Sequence, residues 1–295
     1  MKLHGAEIVD TFAEAFPMWG SRVLITAATP AWALESGRSM TGFATSVIGC
    51  KCEASMEREL APDETPDGRP GVSVLLFAMD REGVGKRLVE RVGQCVLTAP
   101  TAACFNGLDA EHSVDVGGQL RFFGDGYQAS KVLDGQRYWR VPVMEGEFLV
   151  QERFGVIEGV AGGNIIMLGR DAESALRAAE AAASAMRSVE GVIMPFPGGI
   201  ARSGSKIGSR YGALPASTND VLCPTLRGQV EHTDVPPDVE AVFEIVIDGL
   251  ALEPVREAMR RGLVAAAESG ASHVTAGNYG GNLGPHHIHL RELMP

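Results

Sequence analysis

Several absences narrow the class of this chain before any motif is read. Its five cysteines, Cys50, Cys52, Cys95, Cys104 and Cys223, are scattered and odd in number, which does not make a disulfide framework. No run nears the roughly eighteen consecutive apolar residues of a membrane span. The opening MKLHGAEIVD has no apolar core of a secretory signal. Charged residues are sparse, at 21%, and the net charge is −11; nucleic acid as the main partner would favour a basic face. No G-x-x-x-x-G-K-[ST], no helix-opening G-x-G-x-x-G and no G-x-S-x-G elbow occurs, so neither a nucleotide fold nor acyl-enzyme chemistry is supported. The expectation is a soluble cytoplasmic protein with no nucleic-acid and no membrane partner. A local basic pocket for an anionic ligand remains compatible with that charge balance.

Apolar types make up 45% of 295 residues, enough for one large core or two ordinary ones. The order of elements hints at duplication. In the first half, RVLITAA (22–28) reads as a strand and Thr29-Pro30 as a cap and first-turn proline before a helix. TGFATSVIG (41–49) and VSVLLFA (72–78) read as strands, and GKRLVERVGQCVLTA (85–99) has helical spacing. In the second half, NIIMLGR (164–170) is a strand and Asp171 caps a helix that Gly191 can end. GVIMPFPGG (191–199) is a strand running into a Pro/Gly loop and VFEIVID (242–248) is a strand, followed by a helix over 254–270 and the beginning of the last strand at 272–278. Both halves read β-α-β-loop-β-α-β, the split βαβ order. This predicts an α+β protein of two tandem ferredoxin-like lobes, residues 1–155 and 156–295. Residues 119–154, with a GDG hairpin turn at Asp125, form a β-meander inserted in the first lobe and suited to a subunit contact.

Three stretches invite chemistry. Cys50-Lys51-Cys52 and HHIH (286–289) lack the four-ligand spacing of a zinc site, so no metal is expected. The loop PFPGGIARSGSKIGSRYG (195–212) is either a flexible connection or an anion cradle. In the second case the backbone at Gly198 and Gly199 approaches closely and Arg202, Ser205 and Lys206 face the ligand. Tyr279, among the glycines of AGNYGG, either stacks on a planar ligand or packs on its own sheet. In AVFEIVIDG (241–249), Glu244 interrupts an apolar strand. Such an acid is either paired with an arginine, such as Arg202 or Arg210, or held apolar with a raised proton affinity that suits acid/base work.

DTFAEAFPMWGSRVLITAAT, TPDGRPG, GQCVLTAPTA, FFGDGY, GVAGGN, EGVIMPFPGGI, SGSKIG, CPTLRG, VFEIVIDG and TAGNYGG form an ordered set that resembles the formylmethanofuran:tetrahydromethanopterin formyltransferase family. The resemblance implies two ferredoxin-like lobes with the active site in a cleft. It implies transfer of a formyl group between N5 of tetrahydromethanopterin, or its dephospho form, and the amine of methanofuran. Those carriers are substrates, and no prosthetic group or metal is needed. The family's catalytic acid matches Glu244. The resemblance further implies a homo-oligomer, dimer or tetramer, or a place in the formyltransferase/hydrolase complex that methylotrophic bacteria use between formaldehyde and formate. A non-catalytic carrier-binding scaffold subunit and a metal-dependent formyl hydrolase are the rival readings.

Overall fold

The computed structural model describes residues 1–295 and divides into two compact units, Pro17–Gly159 and Met1–Phe16 with Val160–Pro295. The sequence division at 155/156 places the amino terminus with the first lobe. Here the first sixteen residues join the second unit, through strand pairing that a local reading does not contain.

The unit Pro17–Gly159 takes its first strand from β1 (Phe12–Thr26). Helix α1 (Pro30–Thr41) starts where the Thr29 side chain accepts a hydrogen bond from the Trp32 amide, with Pro30 in the first turn. Next come β2 (Glu53–Leu60), β3 (Gly71–Ala78), α2 (Arg81–Arg91), a π-turn over Val92–Val96 and β4 (Ala103–Asn106). Strand β3 lies antiparallel between β1 and β2, and β4 takes the other edge of β1. The lateral order is therefore β2-β3-β1-β4. A meander of β5 (Ala129–Leu133), β6 (Gln136–Val143) and β7 (Gly146–Gln151) is joined to β4 at Val150 and Cys104.

Two local expectations need correction. Residues 41–49 are not the second strand: Ser46 caps a short helix over Val47–Cys50, and the strand begins at Glu53. Asp125 does not turn a hairpin. It ends a helical stretch, Arg121–Gly124, in the left-handed conformation, which Asp tolerates better than most residues.

The other unit takes its first strand from β8 (Arg153–Gly169). Asp171 caps α3 (Ala172–Met186) by accepting from the Ser174 amide. β9 (Val192–Ile193), β10 (Ala241–Gly249), α4 (Leu252–Glu268) and β11 (His273–Thr275) follow. The lateral order β9-β10-β8-β11 repeats that of the first unit. Helices α3 and α4 approach closely because their contact positions are small: Ala175, Ala178, Ala179, Ala182 and Ala183 are buried. A Cβ at Gly262 on α4 would come within 2.0 Å of the Met186 side chain. The amino terminus completes this sheet, Glu7 and Ile8 running parallel to His273 and Val274. β12 (His286–His289) pairs with Phe12–Ala15.

On β10, Phe243, Ile245 and Ile247 join the core under the helices. Val242 packs on the opposite face with Ile166, Leu168, Leu222, Val235 and Val239. Glu244 shares that second face by the two-residue period of a strand.

Candidate active site

Strand β9 pairs with β10 only at Gly249 and Asp248. Further along the same edge, a single bridge replaces it: the Ala201 amide donates to the Glu244 carbonyl at 2.7 Å, and the Glu244 amide to the Ala201 carbonyl at 3.0 Å. The chain then leaves the sheet. A cavity of about 130 Å³ remains, floored by Ile166, Val242 and Glu244 and walled by Ala201–Gly204, Asn219 and Leu222–Thr225. Burial among these groups is the one influence acting on the Glu244 carboxyl, and it pushes the pKa up to about 7. Neither Arg202 nor Arg210, the cations of the paired-acid alternative, is among the groups that shift it. Without a compensating cation a desolvated carboxyl holds its proton to a higher pH. Near neutrality such a group both gives and takes a proton.

Of the residues singled out in the sequence, Arg202 lines this cavity with Glu244. Tyr279, about one-third exposed, has its phenol pKa raised by burial and then by the Glu244 charge, while a hydrogen bond with Ser205 opposes the rise. Ser205, Tyr279 and Glu244 thus form one electrostatic neighbourhood. Gly198 and Gly199 stand apart from the cavity. Both have positive φ, 64° and 85°, in a tight turn whose Gly198 carbonyl accepts from Arg187. With Arg202 and Phe243, Gly198 borders a second depression beside α3. Lys206 is not a cavity-lining residue either: its ammonium is bound to the Asp220 carboxylate at 2.6 Å. No group of three or more His, Cys, Asp or Glu side chains is arranged to hold a metal ion, and His287 instead stacks on Phe12 at 4.7 Å.

Sequence reasoning missed Glu14. This carboxylate is 1% exposed and accepts four backbone hydrogen bonds. Tyr279 and Gly281 donate to one oxygen at 2.8 and 3.1 Å; Leu283 and Gly284 donate to the other, Gly284 at 2.9 Å. Burial raises its pKa, but the four donors outweigh that and hold it below the ordinary value. The signal was present: in FAEAF, as in VFEIV, one acid interrupts an apolar strand. The cavity wall from the CPTLRG stretch, with Cys223, was also missed.

Two family models cover the chain in succession. The one described as formylmethanofuran-tetrahydromethanopterin formyltransferase matches residues 1–143, and that for the proximal lobe of the same family matches residues 146–293. The chain belongs to the formylmethanofuran–tetrahydromethanopterin formyltransferase family. The formyltransferase of Methylobacillus flagellatus is 57% identical over the whole of both chains. That of Methanosarcina barkeri is 50% identical, again over the whole of both. A component of the formyltransferase/hydrolase complex of Methylorubrum extorquens is 51% identical, covering 99% of this chain and 97% of that one. Among solved structures, the M. barkeri enzyme superposes with a TM-score of 0.94 at 50% identity, over 99% of this chain and 100% of that one. The formyltransferase/hydrolase complex of M. extorquens, solved with methylofuran, gives 0.96 at 50% identity, over 99% and 98%. Formyltransferases at this identity over the full chain make this an enzyme of that class, and formylmethanofuran and tetrahydromethanopterin are the carrier substrates of the family. No helix is long and apolar enough to cross a membrane.

Proposed function

We propose that this enzyme moves a formyl group between N5 of tetrahydromethanopterin, or its dephospho form, and the amine of a methanofuran-type carrier, by direct amide-to-amine transfer with Glu244 as the general acid/base. The observation that carries the reading is the unpaired, desolvated Glu244 carboxyl at the cavity floor. Attack of the amine on the formyl carbon gives a tetrahedral oxyanion. Glu244 takes the proton that the attacking nitrogen must lose and returns it to the leaving nitrogen, so one carboxyl serves both steps if its pKa lies near the working pH. The hydroxyls of Ser205 and Tyr279 and the backbone amides of Ser203 and Gly204 are the donors at hand for the oxyanion. Arg202 answers the acidic tail of a carrier, against a chain of net charge −11.

The lateral order β2-β3-β1-β4, repeated as β9-β10-β8-β11, supports reading each unit as a ferredoxin-like lobe. The M. extorquens relative, a component of a formyltransferase/hydrolase complex, supports a place in a comparable assembly or in a homo-oligomer. The setting is cytoplasmic one-carbon metabolism.

The test is an assay of this one purified chain with both carriers. Formyl should move between them with no added metal, and EDTA should leave the rate unchanged. Formate without formyl-carrier product would turn the reading to a hydrolase. Carrier binding without turnover would turn it to a scaffold subunit.

A further inference from the structure

We infer that Glu14 is the positioning residue for Tyr279: its buried carboxylate fixes the loop 277–284 and so sets where the Tyr279 side chain stands relative to Glu244. The inference rests on the reading of Glu244 and Tyr279 given above, and extends it to a residue outside the cavity.

The loop lies between β11 and β12 and contains no regular structure to hold itself. Its first half is tied by Asn164, which donates to the Gly277 carbonyl at 3.1 Å and accepts from the Gly277 amide at 2.6 Å. Asn278 is tied to Thr11 at 3.1 Å. The amide of Gly280 donates to the Asn278 side chain, while those of Tyr279, Gly281, Leu283 and Gly284 turn toward one point, and Glu14 is at that point. Four donors on a two-oxygen acceptor require a full carboxylate; an amide side chain has one acceptor oxygen, and its NH₂ would face two of the donors. Charge-assisted bonds of this kind are the strong ones. Gly280 and Gly281, at φ of 69° and 78°, let the amides converge. At the far end of the loop Gly284 packs directly on the strand that carries Glu14: a Cβ there would meet the Ala15 carbonyl oxygen at 2.2 Å, so only glycine allows this approach. Glu14 itself does not line the cavity that holds Glu244. It acts on Tyr279 through the backbone amide it holds and, to a smaller extent, through its charge, which adds to the rise of the phenol pKa.

The experiment compares Glu14→Gln, Tyr279→Ala and the double variant, with Glu14→Asp as the conservative replacement. Hydrogen exchange reads the loop and carrier-to-carrier formyl transfer reads the site. In Glu14→Gln the amides of Tyr279, Gly281, Leu283 and Gly284 should exchange at least about tenfold faster, while those of β8 and β10 keep their protection. Its kcat/KM should fall on the order of 100-fold, as for a displaced active-site group. Added to Tyr279→Ala, the Gln change should cost little more, since the group it positions is already gone. Glu14→Asp should recover part of both readouts, and it carries the test if the Gln variant does not fold. Unchanged exchange at the four amides would overturn the inference, as would losses that multiply in the double variant. An inactive wild-type chain, or a fully active Glu244→Gln variant, would instead sink the reading of the site, and the exchange arm would still decide the role of Glu14 in the loop.

Discussion

The two units share one order of elements and one lateral strand order, yet each treats an acid on its sheet in the opposite way. In Pro17–Gly159 the edge strand β2 runs for eight residues and covers β3 along its length. Glu57 sits at a register shift in β2, and its side chain is 3% exposed. A bulge of this kind re-aims a side chain. Arg22 grips Glu57 with two nitrogens, at 2.8 and 2.6 Å, and the Ser73 hydroxyl adds a third bond at 2.6 Å. In the other unit the equivalent edge strand, β9, is two residues long. The edge of β10 beyond it is met only by Ala201, and Glu244 has a cavity in front of it, where Arg202 is a wall residue and not a partner that grips the carboxyl. One acid is answered and structural. The other is unanswered and poised. Shortening one edge strand is the difference between them.

The largest effect that would sharpen this contrast is kinetic. Glu244→Gln should lower kcat by about 10²–10⁴-fold, the usual range for a general acid/base, whereas Glu57→Gln should leave turnover per folded molecule near wild type. A single-turnover assay on folded protein reads both, and an active Glu244→Gln chain would break the contrast.

Stability should show the mirror image. Glu57→Gln leaves the Arg22 guanidinium partly uncompensated, and breaking a buried pair costs on the order of 3–5 kcal/mol. Thermal melting should reveal a large drop for Glu57→Gln. Glu244→Gln should melt later than wild type above neutral pH. The folded pKa of Glu244, about 7, lies above its unfolded value, so the native state binds the extra proton. Stability is therefore highest below the unfolded pKa and falls as pH rises through about 7. At pH 8 the Gln variant, which carries no charge to bury, gains up to about 3 kcal/mol over wild type. At pH 4 the two should coincide. A Gln variant less stable than wild type at pH 8 would mean that something does answer Glu244.

The smallest effects concern the two cations of the loop. Arg202 lines the cavity, while Lys206 is already bound to Asp220. Arg202→Gln should raise KM for one carrier on the order of tenfold with kcat nearly intact, the pattern of lost uniform binding. Lys206→Gln loses only an exposed pair worth about 0.2–1 kcal/mol, so its KM should change less. Equal KM shifts would place both cations at the carrier.

Much of this was legible in the sequence, and the gaps share a cause. Thr29-Pro30 and Asp171 are local signals, and the helices they open begin where the sequence places them, whereas α3 stops at Met186, short of Gly191. Glu244 was legible because a carboxylic acid in an apolar strand costs free energy unless something offsets it. What sequence could not supply was the partner. Glu57 looks ordinary in MEREL until Arg22 and Ser73 are beside it. Lys206 looked free until Asp220 closed on it. Glu14 has the same signature as Glu244, and only its four amide donors, from the far end of the chain, set the two acids apart. The second strand of the first unit was misplaced because 41–49 is apolar enough for a strand, while the Ser46 cap and the left-handed Phe43 divert it.

The pairing of Glu7 and Ile8 with β11 has a consequence for synthesis on the ribosome. Pro17–Gly159 is contiguous, so every strand it needs has been translated once Gly159 is made. The segment ahead of it has its partners almost at the end of the chain. It must wait through nearly the whole of elongation with one edge uncovered, and domains that emerge early generally fold first. Closing so long a loop is also the slow kind of step. Maturation of the half that carries Glu244 and Glu14 is thereby tied to completion of the polypeptide, and a chain truncated before β11 would lack both the pairing for its own beginning and the loop that Glu14 holds.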